Sequence, residues 1–245
     1  MQDYRGNDRP GTVNGTVQRG VAGALVDSPD PAAGFDGSSG HVVGTPDSPM
    51  SNPTPYSVEA WFNTTSTMGG KLIGFSNQPS GLSSSYDRHA YLRDDGSLVF
   101  GACTGQENTV TSTAVSMTAN WHYVVATQGK SGMVLYVDGT AVGDDPQSAA
   151  QSYTGYWRVG ADRTWAGASS PYVDGVIDEA AVYTSVLKPS QVAEHTLWAQ
   201  RKHRTRRRLT RPGTTRQPLP SPTGRSWVPT LRRGPPGRNP GLRLQ

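Results

Sequence analysis

Cysteine is almost missing from this 245-residue chain: the lone Cys103 excludes an intramolecular disulfide, and so few thiols say little about redox compartment. No stretch approaches the roughly 20 consecutive apolar residues of a membrane-spanning helix, so no membrane insertion is expected. The residues after Met1, Gln-Asp-Tyr-Arg-Gly-Asn-Asp, lack the basic-then-apolar order of a signal peptide. The five His residues have no zinc-like spacing. No Ser/His/Asp order, phosphate-cradling glycine loop or internal repeat stands out. Acidic residues are absent beyond Glu194. Residues 1–200 hold 10 Lys and Arg against 19 Asp and Glu, a net −9, whereas residues 201–245 hold 13 Lys and Arg and no acid. The overall +4 therefore averages two unlike segments.

What is there favours strands and turns. The body is rich in Gly, Ser, Thr, Val and Tyr and poor in Leu, Lys and Glu. Short alternating runs predict half-buried strands at Tyr56–Phe62, Lys71–Phe75, Arg88–Arg93, Leu98–Ala102, Trp121–Thr127, Met133–Val137, Thr140–Gly143, Tyr156–Gly160 and Val173–Tyr183. Asp95-Gly96 and Asp138-Gly139 supply the positive φ of tight turns, so each pair joins two of these strands as a hairpin. Turns recur every 8–15 residues, which points to a sandwich and not to a parallel sheet. One helix is expected over Ser185–His195, with Pro189 near its first turn. Residues 201–245, rich in Arg, Pro, Gly and Leu, cannot bury enough apolar surface to offset ordering and are expected to be a disordered basic tail. The Arg206-Arg207-Arg208 cluster attracts phosphate nonspecifically, but Trp227 is the tail's one aromatic, so no specific nucleic-acid partner is expected.

Five blocks in order carry a resemblance: "AAGFDGSSGHVVG" (32–44), "YSVEAWFNT" (56–64), "NWHYVVAT" (120–127), "MVLYVDGTAVG" (133–143) and "YVDGVIDEAAVYTSVLKPSQVAEH" (172–195). Together they resemble the laminin-G-like jelly-roll domains of the concanavalin A-like lectin/glucanase superfamily. Two further stretches, 84–101 and 152–162, are similar to a bacterial extracellular subgroup of that family. The resemblance implies an all-β, antiparallel two-sheet β-sandwich with a short C-terminal helix. It places one such domain over residues 1–200 and the tail over 201–245. It also implies an extracellular or cell-surface protein, a polysaccharide or glycoprotein partner, and further domains of a larger parent protein missing from this chain. Two departures stand out. The family's opening strand is expected to be missing ahead of Asp3-Tyr4-Arg5-Gly6-Asn7, which would leave a bare sheet edge. The acid-free ending from Arg201 resembles translation of a GC-rich gene in a shifted frame.

Because the superfamily includes glycoside hydrolases, paired carboxylates are the first chemistry to seek. Retaining hydrolysis needs two carboxyl groups about 5–5.5 Å apart. Glu59 stands alone, and adjacent Asp178-Glu179 point to opposite faces of a strand. The expectation is a binding protein and not an enzyme. Calcium, which takes carboxylate and carbonyl oxygens, is the cofactor the resemblance implies, at Asp36 and Asp178. The competing reading has both aspartates fixing turns through backbone amides. For a glycan, aromatic platforms beside polar groups are suitable, which singles out Tyr86, Asp87, Arg88, Trp157, Arg158, Trp165 and Tyr172. The competing reading has Tyr86, Arg88 and Trp157 bracing the sandwich, with Arg stacked on a ring. Exposed Trp165 and Tyr172 lining one groove would favour binding; burial of both would favour a structural spacer.

Overall fold

The structure is a computed structural model and describes residues 11–25, 28, 30–44, 48–115, 119–197 and 242–244. Two antiparallel sheets face one another, which is the expected all-β sandwich. The first sheet runs β1 (Thr12–Asn14), β4 (His41–Val43), β14 (Thr154–Val159), β7 (Gly70–Ser76), β8 (Tyr86–Leu92), β9 (Ser97–Cys103) and β10 (Glu107–Ala114), with β5 (Met50–Ser51) also paired to β14. The second runs β13 (Thr140–Asp145), β12 (Gly132–Val137), β11 (His122–Gly129), β6 (Tyr56–Asn63), β15 (Asp174–Tyr183), β3 (Ala32–Asp36) and β2 (Val17–Val21). Three residues near the C-terminus, β16 (Leu242–Leu244), pair with β15 through Ala180, Ala181 and Val182, so at these positions the expectation of disorder is replaced by a strand. The rest of the predicted tail, and the Asp3–Asn7 motif, lie outside the described residues. One short helix, α1 (residues 189–197), starts at Pro189, four residues later than the sequence pattern predicts.

Strand alternation decides what the sandwich encloses. In β6, Tyr56, Val58, Ala60 and Phe62 face inward, and in β11 Val124 and Ala126 do the same. They meet Ile73, Phe75, Ala90, Leu92, Leu98, Phe100, Trp157 and Val159 of the opposite sheet. Burying each large side chain of this layer contributes roughly 2–3 kcal/mol. Tyr56, Phe75 and Trp157 pack ring to ring, with Trp157 5.3 Å from both partners.

Unlike the half-buried strands that alternation predicts, the central strands are covered on both faces. On the outside of the second sheet, Trp61, Tyr123, Val125, Tyr136 and Tyr183 form a second cluster under Leu187 and Val192 of the C-terminal segment. On the outside of the first sheet, Tyr91 and Val99 lie under Trp165, from the loop after β14. Gly101 makes this second covering possible: a Cβ there would collide with the Trp165 ring.

Candidate functional site

The predicted aromatic and polar residues divide between interior and surface. Asp87 and Arg88 begin β8, and Arg88 has a positive φ of 46°. Their side chains are buried and joined by an ion pair of 2.6 Å. The guanidinium lies 5.4 Å from the Phe75 ring centre and 5.5 Å from that of Tyr153, and Nη2 donates to the Gln151 carbonyl at 2.8 Å. Asp87 also accepts from the Tyr153 hydroxyl and from the Gln151 and Cys103 amides. Arg stacked on rings is thus the geometry present, and it braces one end of the sandwich.

Trp157 is in the core because its position in β14 matches the inward-facing Val159. Arg158 falls between them and points to the outer face, but it too is buried. Its Nη1 donates to Asp162 at 3.0 Å and to the Gly81 carbonyl at 2.7 Å, while Asp162 accepts from the Ser83 amide and hydroxyl. Burial alone would raise the Asp162 carboxyl, but Lys71 and Arg158 outweigh it and hold the group below its ordinary range. Together these bonds staple the loop between β7 and β8 onto the sheet.

Trp165 is only 9% exposed, with its ring edge-on to His89 at 4.5 Å. Tyr91 Oη donates to the Ala166 carbonyl and the Asp94 amide donates to that of Gly167, which fixes the loop. Tyr86 and Tyr172 keep partial exposure. The two residues are thus neither both exposed nor both buried: Trp165 covers the sheet, and half-buried Tyr172 pairs with Ala161 in an isolated bridge. Beneath Trp165 is a constellation the sequence reading missed. Lys71 Nζ and both ring nitrogens of His89 are fully buried without hydrogen-bond partners. Gly74 leaves room for them, since a Cβ there would meet the His89 Cβ at 2.5 Å. Burial pulls Lys71 down to about 7, against the pull of Asp162, and burial beside Lys71 keeps His89 neutral.

The outer face of the second sheet holds the opposite arrangement. Glu59 accepts from Tyr123 Oη at 2.5 Å and Tyr183 Oη at 2.7 Å, and His195 Nδ1 of α1 lies 2.8 Å away. Asp178 is nearby on β15, accepting from the Ala24 amide at 2.8 Å and from the Glu179 amide at 2.9 Å. Glu179 has a φ of 49°, and the register of β15 shifts between Asp178 and Ala181. Because of this bulge, Asp178 and Glu179 do not follow simple alternation.

Asp36 is at the rim. It accepts from the Ser38 and Ser39 amides at 3.0 Å, and these bonds hold its carboxyl far below the ordinary range. Its register partner is Asp174, whereas Asp178 lies four residues further along β15, about 13 Å away at the usual strand rise. The structure does not bring the two calcium candidates together, and each is bonded to backbone amides. Among the described residues no three His, Cys, Asp or Glu converge as a metal set. The acidic neighbour of Asp36 is Asp174, a cross-strand pairing that sequence spacing alone does not reveal.

One recess opens at the mouth of the sandwich, between β6 and β15 of one sheet and β14 of the other, with a volume of about 210 Å³. Its wall is β5 and the connection Asn52–Pro55, which contains the cis Thr54–Pro55 bond, and its lining includes Tyr56 and Trp157.

Residues 36–193 match the family Laminin G 3, described as the concanavalin A-like lectin/glucanases superfamily. A search of curated proteins gave no match. Among solved structures, domain 4 of AbnA, a GH43 extracellular arabinanase from Geobacillus stearothermophilus in complex with arabinotriose, is similar at a TM-score of 0.52 and 19% identity, covering 78% of this chain and 90% of that one. The binding domain of botulinum neurotoxin serotype D/C is similar at 0.52 and 13% identity, covering 80% of this chain and 48% of that one. At such identities the likeness establishes the sandwich fold alone.

Proposed function

The chain belongs to the concanavalin A-like lectin/glucanases superfamily, and from that premise we propose that it is a non-catalytic carbohydrate-binding module of an extracellular or cell-surface protein. The observation that carries the non-catalytic part is how four of the five buried carboxylates among the described residues are used. Asp87, Asp162, Glu59 and Asp178 each accept two or more hydrogen bonds from groups of the sandwich itself. A hydrolase needs an acid and a base or nucleophile facing a substrate cleft at set separation. A carboxylate already engaged by tyrosine, arginine or backbone donors is poorly placed to give or take a proton. The carbohydrate part is supported by the fold and by the similar arabinanase domain that holds arabinotriose.

A second reading, a structural spacer without ligand, is favoured by one observation: Trp165 is packed down on the first sheet and is not offered to solvent. A glycan array probed with the full chain separates the two, run with calcium and with chelator because Asp36 and Asp174 are exposed register partners. We expect binding to one class of polysaccharide and no reducing sugar released from it. A silent array under both conditions overturns the binding reading in favour of the spacer, and sugar release overturns the non-catalytic one.

A further inference from the structure

Resting on the carbohydrate reading above, we propose that the recess at the mouth of the sandwich is a subsite for a single neutral sugar ring. None of the residues lining it is charged, which disfavours a uronate or sialate, whose carboxylate would lose water without gaining a cation. Its volume, about 210 Å³, lies below the roughly 300–1,000 Å³ of sites for drug-sized ligands and suits one ring, not an oligosaccharide chain. The lining has both textures a sugar requires. Pro55 offers an exposed apolar face, and Ser51, Asn52 and Thr184 supply hydroxyl and amide groups at the entrance.

The recess also reaches Tyr56 and Trp157, and here the interior is incompletely paired. Tyr56 Oη and Trp157 Nε1 are buried and have no hydrogen-bond partner. Both atoms are closed off beneath the floor, so a seated ring would meet the lining faces above them and not these donors. The wall is also built in advance. Asn52 Oδ1 accepts from the Tyr153 amide at 2.7 Å, its Nδ2 donates to Ser152 Oγ at 3.0 Å, and Ser51 Oγ lies 2.8 Å from Thr154 Oγ1. These bonds tie the wall to the start of β14, so little ordering remains for binding to impose.

The test uses the full chain labelled with ¹⁵N and titrated with L-arabinose, D-galactose and N-acetylglucosamine, with D-glucuronate as the acidic control. The chain has six tryptophans, and the Trp157 indole signal is identified by its loss in Trp157→Phe. We expect a neutral sugar to shift that signal saturably. Thr184→Trp, at the exposed mouth, should abolish the shift while leaving the strand spectrum intact. The proposal is overturned if glucuronate binds more tightly than every neutral sugar. It is also overturned if a neutral sugar binds without moving the Trp157 signal and binds Thr184→Trp as well as the parent. If no free sugar binds although the glycan array is positive, the subsite falls and the carbohydrate reading stands. If both are silent, both fall.

Discussion

The two outer faces of this sandwich bury charge in opposite ways. Under α1, the Glu59 carboxylate meets two tyrosine hydroxyls and a histidine. Under Trp165, the Lys71 amine and the His89 imidazole have no hydrogen-bond partner at all. Both are covered by a segment that follows a strand, and both covers bring an aromatic or aliphatic surface. The difference is in the energetics. A satisfied buried carboxylate holds its cover in one position, because moving the cover breaks charge-assisted bonds. A buried amine with no hydrogen-bond acceptor is favoured in the neutral form, despite the Tyr86 ring 5.2 Å away and the pull of Asp162. One face is locked by polar contacts. The other is held by ring packing and by the bonds of the Trp165 loop to Tyr91 and Asp94, and its buried amine and imidazole are pushed towards their neutral forms.

That contrast can be broken or sharpened in order of expected effect. Glu59→Ala removes the acceptor for Tyr123 and Tyr183 together and should cost about 3–5 kcal/mol, the scale for breaking a buried charged network, read by urea unfolding. Trp165→Ala should cost about 3 kcal/mol through the lost ring contacts, and it admits water to Lys71. The lysine's pKa should then climb back towards its ordinary value. pH provides the third measure. Lys71 titrates at about 7 when folded and at 10.5 as a free side chain. Between these values the unfolded chain holds a proton that the folded chain has released. Stability should therefore rise with pH from about 7 upwards, by at most about 1.4 kcal/mol per unit, and fall as pH drops back towards 7. Lys71→Met should flatten that rise and add about 1–2 kcal/mol at neutral pH, since an apolar group replaces a desolvated amine. A Lys71→Met protein that keeps the full slope would place the titration elsewhere.

Much of the fold was legible because alternation and turn chemistry are local. Tyr56–Phe62 reads as a strand and forms β6; Asp138-Gly139 reads as a turn and joins β12 to β13. β10 was missed because it is an edge strand of Asn, Thr and Ser in which Val110 is the one fully inward apolar residue, so no alternation is visible. The binding candidates were less legible. Composition cannot tell a polar side chain on a surface from one at a covered sandwich end. The positive φ at Arg88 and the in–out phase of β14 place Arg88 and Trp157 inside, while Arg158 is buried on the outer face by loops, and none of this can be read from a run of aromatic and charged letters. Lys71 and His89 looked like ordinary outward positions of β7 and β8. The distant loop bearing Trp165 covers His89, the Tyr86 ring lies over the Lys71 amine, and no local pattern announces either contact. The bulge at Asp178–Ala181 similarly breaks the parity rule that separates Asp178 from Glu179.

The hold of α1 on Glu59 has a mechanical consequence. The chain passes from β15, a central strand, directly into this helix. Tension applied at residue 197 therefore arrives first at His195 and the helix seat, not at the ladder of β15. The helix acts as a fuse: it can peel away and lengthen the tether while the two sheets beneath it stay shut.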